Sequence, residues 1–434
     1  MCSVNTRSIQ VYVVIKNMNS ILLFLLPFCL SLSGVNINVF NLNVRLDQLV
    51  VCILFVQLIA KKIIKGKNII YDIPSIYLII FLTISLFSSL FYSPNSTYSA
   101  VQTLNIASVS LTYIVLVNYL SVETEFIKSL KYYLITGIIV SIIGITLFVF
   151  SKLNISSYGI VLDDSGAFAY GISSTMREQN IFGSYSLIYF VIAFGLIIHP
   201  IKNIVSKKIV QALICTSALA LFLSFTRGAW LGAIIVCPLM LFFQPDYKTG
   251  RNTNFNKYSK NILVIIAIGF IIFSISSVVS PTTLTYKIEN MFEVQDGTGL
   301  ARIIIWDQAW ANIKEHLWFG QGTYSFGALN NPVSGEEGVI TNAWIGNFVL
   351  TALHDTGIIG TILFGGMIFT LLKKGISMSK NITIASYDRA LAFSFSSAVI
   401  SLLIAFFFTT GFSYGYGWYL LGLLGTKISH YKKI

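Results

Sequence analysis

The chain has 434 residues, 55% hydrophobic and 11% charged, with a mean hydropathy of +0.77. A soluble domain carries roughly a quarter of its residues charged, so this composition excludes an ordinary soluble protein. The net charge of +12 would suit a nucleic-acid partner, but its distribution along the chain gives it another meaning.

Apolar runs of about 20 residues, the length that crosses a bilayer as a helix, recur throughout. A spanning β-barrel would alternate in short strands instead. The expected fold is therefore an all-α polytopic membrane protein forming a single integral membrane domain over 1–434. In chain order the spans fall at about 20–34, 45–61, 74–92, 101–119, 131–150, 181–199, 208–224, 228–244, 261–280, 346–371, 388–408 and 412–427, about twelve in all. The first run follows Arg7 and Lys16 and lacks a small-residue cleavage pattern, so it reads as an uncleaved first helix. Two connections are long, 151–180 and 281–345, and the larger one holds short amphipathic helices. Of the five cysteines, Cys29, Cys52, Cys215 and Cys237 lie in apolar runs and Cys2 at the N-terminus, a pattern of packing rather than of disulfides or metal ligands.

The lysines set the orientation. With the N-terminus cytoplasmic, alternate loops collect about 22 of the 29 basic residues on one side. They include Lys61, Lys62, Lys65 and Lys67, then Lys373, Lys374 and Lys380, then Lys427, Lys432 and Lys433. The positive-inside rule then places both termini in the cytoplasm and both long loops on the outer, periplasmic face. The +12 reports topology and contact with anionic membrane lipids, and no nucleic-acid partner is expected.

Arginine breaks the pattern. The outer side holds only three of the 22 lysines but four of the seven arginines: Arg45, Arg177, Arg227 and Arg302. A guanidinium is a planar fork suited to bidentate contact with phosphate oxygens. Arg227 sits in SFTRGAWLG, a tight turn between two apolar runs, and Arg177 in STMREQNIFGSYS, just before a span that Asn180 opens. The plain structural alternative is a snorkelling arginine that anchors a helix end, and Arg45, beside Asp47, fits that account best. Arg302 heads RIIIWDQAWANIKEHLWFG, where Ile303, Trp306, Trp310, Ile313 and Leu317 form one apolar stripe. Such a helix is expected to lie flat at the membrane interface, with Trp306 and Trp310 at headgroup level.

Of the four histidines, His199 and His430 fall on the cytoplasmic side, while His316 ends the flat helix and His354 lies in ALHDTGIIG near the outer end of a span. Metal-ligand clusters, P-loops and dinucleotide fingerprints are missing from the sequence. Asp163-Asp164 could hold a divalent ion, but adjacent loop carboxylates are common, and neither a metal nor a cofactor is expected.

Taken together, these segments resemble the bacterial O-antigen ligase and O-antigen polymerase superfamily over roughly Arg177 to Gly360. The features that carry the resemblance are the arginine-asparagine-glycine element before a span, the S-x-T-R-G-x-W-L turn, and a large outer loop. That loop starts R-x-x-x-W, passes through W-F-G-x-G and runs into a helix with G-x-x-G. The resemblance implies a metal-independent, inverting glycosyltransferase that takes a glycan from undecaprenyl diphosphate at the outer face of the cytoplasmic (inner) membrane. A ligase passes the glycan to lipid A core, and a polymerase passes it to the next lipid-linked repeat, with a chain-length regulator as a candidate partner. Arg227 and Arg302 would stabilise the diphosphate leaving group, with Arg177, Asn180, Trp306 and Asn347 binding substrate. Family ligases carry histidine-asparagine, nine residues, then G-x-x-G; here the pair is Gly346-Asn347 before Gly357 and Gly360. The acceptor-activating histidine is thus glycine, and His354, His316 and Asp355 are the substitutes within reach. This departure favours a polymerase over a ligase. A polysaccharide-precursor transporter is the alternative from another class, and it would need polar groups or broken helices in mid-span.

Overall fold

The computed structural model describes residues 21–39, 42–65, 69, 72–153, 155, 158, 160–161, 171–176, 178–201, 204–243, 297–329, 344–409 and 411–431. The expected span 261–280, the Asp163-Asp164 pair and Arg177 lie outside the described residues.

The chain is mostly helical. It opens with α1 (Ile21–Ser31) and a hairpin of β1 (Asn36–Val39) and β2 (Leu42–Arg45), paired antiparallel with Asn36 opposite Arg45. There follow α2 (Leu46–Lys65), α3 (Ile73–Phe91), α4 (Ser96–Tyr119) and α5 (Glu123–Lys152). A two-residue pair, β3 (Ile160–Val161) and β4 (Gly171–Ile172), precedes α6 (Gln179–Ile198), α7 (Lys207–Leu223) and α8 (Arg227–Phe243). Next come α9 (Gly297–Glu315) and the short α10 (Phe326–Leu329), then α11 (Phe348–Lys380), α12 (Ser386–Phe406), a 3₁₀ turn at Gly411–Ser413 and α13 (Gly415–Tyr431).

Every expected span other than 261–280 falls on a helix. Of these, α3, α4, α5, α6, α11 and α12 are long and apolar enough to cross a membrane, while α1 and α8 are shorter apolar helices. The helices run past the apolar runs where polar residues continue them. Thus α5 starts at Glu123 rather than near 131, and α11 extends to Lys380. Several starts are fixed by side chains: Asp72 accepts from the Ser75 amide (2.9 Å) and Asn95 from that of Tyr98 (3.0 Å). Each such cap is worth about 1 kcal/mol.

The centre of the bundle is α6, apolar all round and buried on almost every side against α7, α8 and α12. A helix with no polar face belongs inside a protein. Around this core α3 packs on α4 and α11, and α13 packs on α4.

The two ends of the bundle differ in chemistry. At the end rich in lysine, Lys427 is fully buried and its amine meets Glu123 (2.8 Å) and Asp388, tying α13 to the starts of α5 and α12. Its charge also faces the ring of Phe126 at 4.4 Å. Removing one member of a buried ion pair costs about 3–5 kcal/mol, and the half-open position of Glu123 favours the low end. Lys427→Ala is therefore expected to lower the melting temperature of the detergent-solubilised protein. Lys427→Met, which keeps the volume, should lower it less. Equal melting temperatures for wild type and Lys427→Ala would show the cluster to be energetically idle. The opposite end carries Arg45, Arg227 and Arg302 and all the irregular backbone discussed next.

Candidate active site at the arginine-bearing end

The turn from Ser224 to Thr226 fixes Arg227. Phe225 has φ +51°, a left-handed conformation that a bulky residue keeps only when its surroundings hold it. Here the Thr226 hydroxyl donates to the Gln179 carbonyl (3.0 Å), and the Trp230 indole donates to the Leu221 carbonyl (3.0 Å) while stacking on Phe222. Gly183 lies so close to Thr226 and Ser224 that a side chain there would overlap them. The start of α6, with Asn180, is thereby drawn against the arginine turn. Asn180 spends its amide on Glu178 (2.6 Å).

Arg302 arrives from α9. Its guanidinium lies 6.0 Å from the ring centroid of Phe408, just beyond α12. Gly228, the neighbour of Arg227, meets the same Phe408 side chain and the Ala405 carbonyl. Arg302 and the turn that carries Arg227, 75 positions apart in sequence, thus both adjoin Phe408. Arg227 and Arg302 are both half-buried, a setting in which fixed charge acts more strongly than in open water.

The expected stripe on α9 is corrected by the packing. The buried line is Ile305, Ala309 and Ile313; the first two pack with Phe326 and Ile345, and Trp306 is half-buried beside them. Ile303, Ile304, Trp310, Leu317 and Trp318 are exposed instead. The helix is apolar on two sides, so a single stripe was the wrong description. Trp306 faces inward, its indole donating to the Ile345 carbonyl (2.9 Å), and only Trp310 of the pair is free to meet headgroups.

The WFGQGTYSFG turn docks onto α11 at a break in that helix. Gly357 has φ +65°, ψ −168°, outside helical space. The backbone groups released there are taken up by the turn. Gln321 and Gly322 donate to the carbonyls of His354 (2.8 Å) and Asp355 (3.0 Å), while Ile358 and Ile359 donate to those of Leu317 (2.9 Å) and Trp318 (3.3 Å). Gly320, its φ also positive at +72°, faces this break, and a Cβ on either glycine would overlap the opposite backbone. The far side of the turn is held by hydroxyls. Thr323 meets Ser85 (2.8 Å) and Thr103 (2.8 Å), and Ser88 donates to the Asp355 carbonyl (2.9 Å).

Asn347 caps α11, its side-chain oxygen accepting from Val349 (2.9 Å) and Leu350 (3.1 Å). Phe348, the next residue, lies edge-on to Phe407 (5.3 Å), so the start of α11 adjoins the phenylalanine turn that carries Phe408. Gly346 has φ +64° with open space around it. Gly346→His would fit sterically but cost about 1–2 kcal/mol of backbone strain. It is expected to raise transfer less than twofold, and a larger gain in a transfer assay would reinstate this position as the base.

His354 is 0% exposed, with its ring edge-on to Phe326 at 5.4 Å, and through Phe326 it reaches the α9 cluster next to Arg302. His316 is not brought to the arginines. It lies beside Tyr92 (5.5 Å), and fourteen residues of helix and turn separate it from Arg302, about 20 Å at helical rise.

Sequence reasoning gave little weight to Arg45 and did not single out Tyr324 or Ser413. Arg45 pairs with buried Asp47 (3.2 Å), donates to the Ser413 carbonyl (3.0 Å) and lies over the Tyr414 ring. The Ser413 hydroxyl meets that of Tyr324. Burial raises the Tyr324 phenol above its ordinary range, so it serves as a neutral hydroxyl. Among the described residues no three His, Cys, Asp or Glu side chains gather to hold a metal ion.

The fold defines a multi-pass helical membrane protein whose arginine-bearing end combines a buried span, a broken helix and a docked turn. Residues 212–365, a little over a third of the chain, match the O-antigen ligase family model, and the match supports the O-antigen ligase and polymerase superfamily. The matched interval runs from α7 past the break in α11 and takes in Arg227, Arg302 and His354. Members of that family are glycosyltransferase-like enzymes acting on lipid-linked glycans. No curated protein matches the chain.

Proposed function

We propose that this protein is a metal-independent, inverting glycosyltransferase that polymerises undecaprenyl-diphosphate-linked repeat units into O-antigen or a related surface polysaccharide. In this reading it works at the outer face of the cytoplasmic membrane, with both termini in the cytoplasm. The observation that carries the reading is that Arg302 and the turn bearing Arg227 both adjoin Phe408 at one end of the bundle. As the glycosidic bond breaks, negative charge grows on the diphosphate. Fixed guanidinium groups stabilise that charge most in the transition state, where it is largest. The spans would hold the polyprenyl tail, and the docked turn would order the sugars. A chain-length regulator is the partner expected of a polymerase.

The description of the matched family favours a second reading, transfer of the finished glycan to lipid A core. Gly346, standing where family ligases carry histidine, favours the polymerase. The two part on deletion. Loss of a polymerase should leave core capped by a single repeat, whereas loss of a ligase should leave bare core and accumulated lipid-linked polymer. A gel of extracted lipopolysaccharide separates them, and bare core with intact polymer would sink the polymerase reading.

A further inference from the structure

A cavity at the lysine-rich end of the bundle takes no part in the site described above. It holds about 320 Å³ between the start of α1, the end of α4 and the first turns of α5. That is the size at which ligand pockets begin. Leu23 and Leu120 are buried and give it an apolar floor. Ser129 also lines it, but its hydroxyl is committed to that of Tyr419 (2.7 Å). Ile21, Phe24 and Tyr132 are exposed, so the cavity opens on the flank of the bundle, where Phe24 and Tyr132 meet edge to face at 4.2 Å. Glu125 and Lys128 supply one charge of each sign, 3.2 Å apart.

The fold does not account for these two charges. Their side chains are 39% and 60% exposed, and an exposed pair one helical turn apart adds little to stability. Such a pair can exchange partners with a guest that brings the opposite charges. A phosphate alone would suit Lys128 but would face the carboxylate of Glu125. An amine alone would meet the reverse conflict. A zwitterion satisfies both, and its ammonium gains further from the aromatic rings of Phe24 and Tyr132.

The surface beside the cavity indicates what such a head is attached to. Ile135, Ile139 and Ile142 are exposed on α5 and recur every three or four residues. They make an apolar stripe that begins one turn beyond Tyr132 and runs on for about 10 Å. A polar head seated in the cavity therefore has hydrocarbon-matching surface directly beside it.

We propose that this cavity binds a zwitterionic phospholipid with a primary amine, of the phosphatidylethanolamine class. Lys128 takes the phosphate, and Glu125 accepts hydrogen bonds from the ammonium. Phe24 and Tyr132 flank the head, and an acyl chain lies along Ile135, Ile139 and Ile142. Bound there, the lipid ties α1 to α5. In the orientation proposed above it belongs to the cytoplasmic leaflet, opposite the transfer site, and the assignment stands whether or not the protein is a transferase.

The test is native mass spectrometry of the full-length protein in detergent with equal amounts of phosphatidylethanolamine and phosphatidylglycerol, whose heads differ in the amine. The amine lipid is expected to be retained about fivefold over the other. Lys128→Gln and Glu125→Gln should each erase that preference. Ile21→Trp, which fills the mouth and touches neither charge, should erase it too. Lys380→Gln, at an exposed lysine ending α11, should keep it. Melting temperatures in lipid-free detergent should match wild type throughout, because exposed side chains carry little of the stability. Equal retention of the two lipids by wild type overturns the proposal, as does a preference that survives either charge-removing variant. Displacement of the lipid by millimolar O-phosphoethanolamine would give the cavity to a soluble phosphoamine and overturn the lipid assignment.

Discussion

Arg302→Ala is expected to abolish polymer formation while leaving the protein in the membrane at wild-type level. The guanidinium stands over Phe408, half-buried, and its truncation leaves α9 anchored by Ile305, Ala309 and the Trp306 bond to Ile345. The loss should therefore be one of transition-state charge stabilisation rather than of folding. One fixed donor in such a setting is worth about 10²–10³ in rate. Arg227→Ala should show the same pattern, because bonds from Thr226 and Trp230 hold the turn that carries it. Lysine at either position should recover only part of the rate, since a point charge does not reproduce the planar fork. Wild-type chain-length distributions in both alanine variants would remove the arginines from the site.

Gly357→Ala should be as damaging by a different route. The backbone at Gly357 combines positive φ with an extended ψ, and an added methyl would collide with the carbonyl of Trp318. That conformation is essentially reserved for glycine and costs about 1–3 kcal/mol for a residue with a Cβ, and the collision forces the docked turn away. Four cross-hydrogen bonds between the turn and α11 are at stake. The expected outcome is loss of transfer together with faster proteolysis in the segment around Gly320. Gly320→Ala should copy this phenotype, because the two glycines face each other across the same contact. By contrast Gly365→Ala, with open space at its Cβ, should be silent. Normal transfer in Gly357→Ala would mean that the turn need not dock for catalysis.

Much of the fold was legible because hydrocarbon thickness imposes a length on apolar runs that needs no knowledge of tertiary contacts. The excess of arginine over lysine at one end was legible for a related reason, since the lysines define the opposite side. The β1–β2 hairpin was missed although its alternation of asparagine with apolar residues, Asn36-Ile37-Asn38-Val39, carries the two-residue period of a strand. What could not be read was the break in α11. GIIG sits inside an apolar run that looks like uninterrupted helix, and only the turn arriving from Leu317–Gly322 explains why Gly357 leaves helical space. The link from Arg45 through Ser413 to Tyr324 was hidden too, because it joins residues 368 and 89 positions apart. On α9 the run Ile303-Ile304-Ile305 supplies apolar residues to both sides, so periodicity alone could not choose the inward one.

The docked turn also changes what a unit of stability means in this chain. A helix ordinarily satisfies its own amides, but Ile358 and Ile359 depend on carbonyls of Leu317 and Trp318, and Gln321 and Gly322 depend on those of His354 and Asp355. Neither partner can open without stranding the polar groups of the other in poorly hydrated surroundings. The docked turn and the broken stretch of α11 are therefore expected to exchange their amide hydrogens as one cooperative block, at a rate far slower than an exposed turn would show.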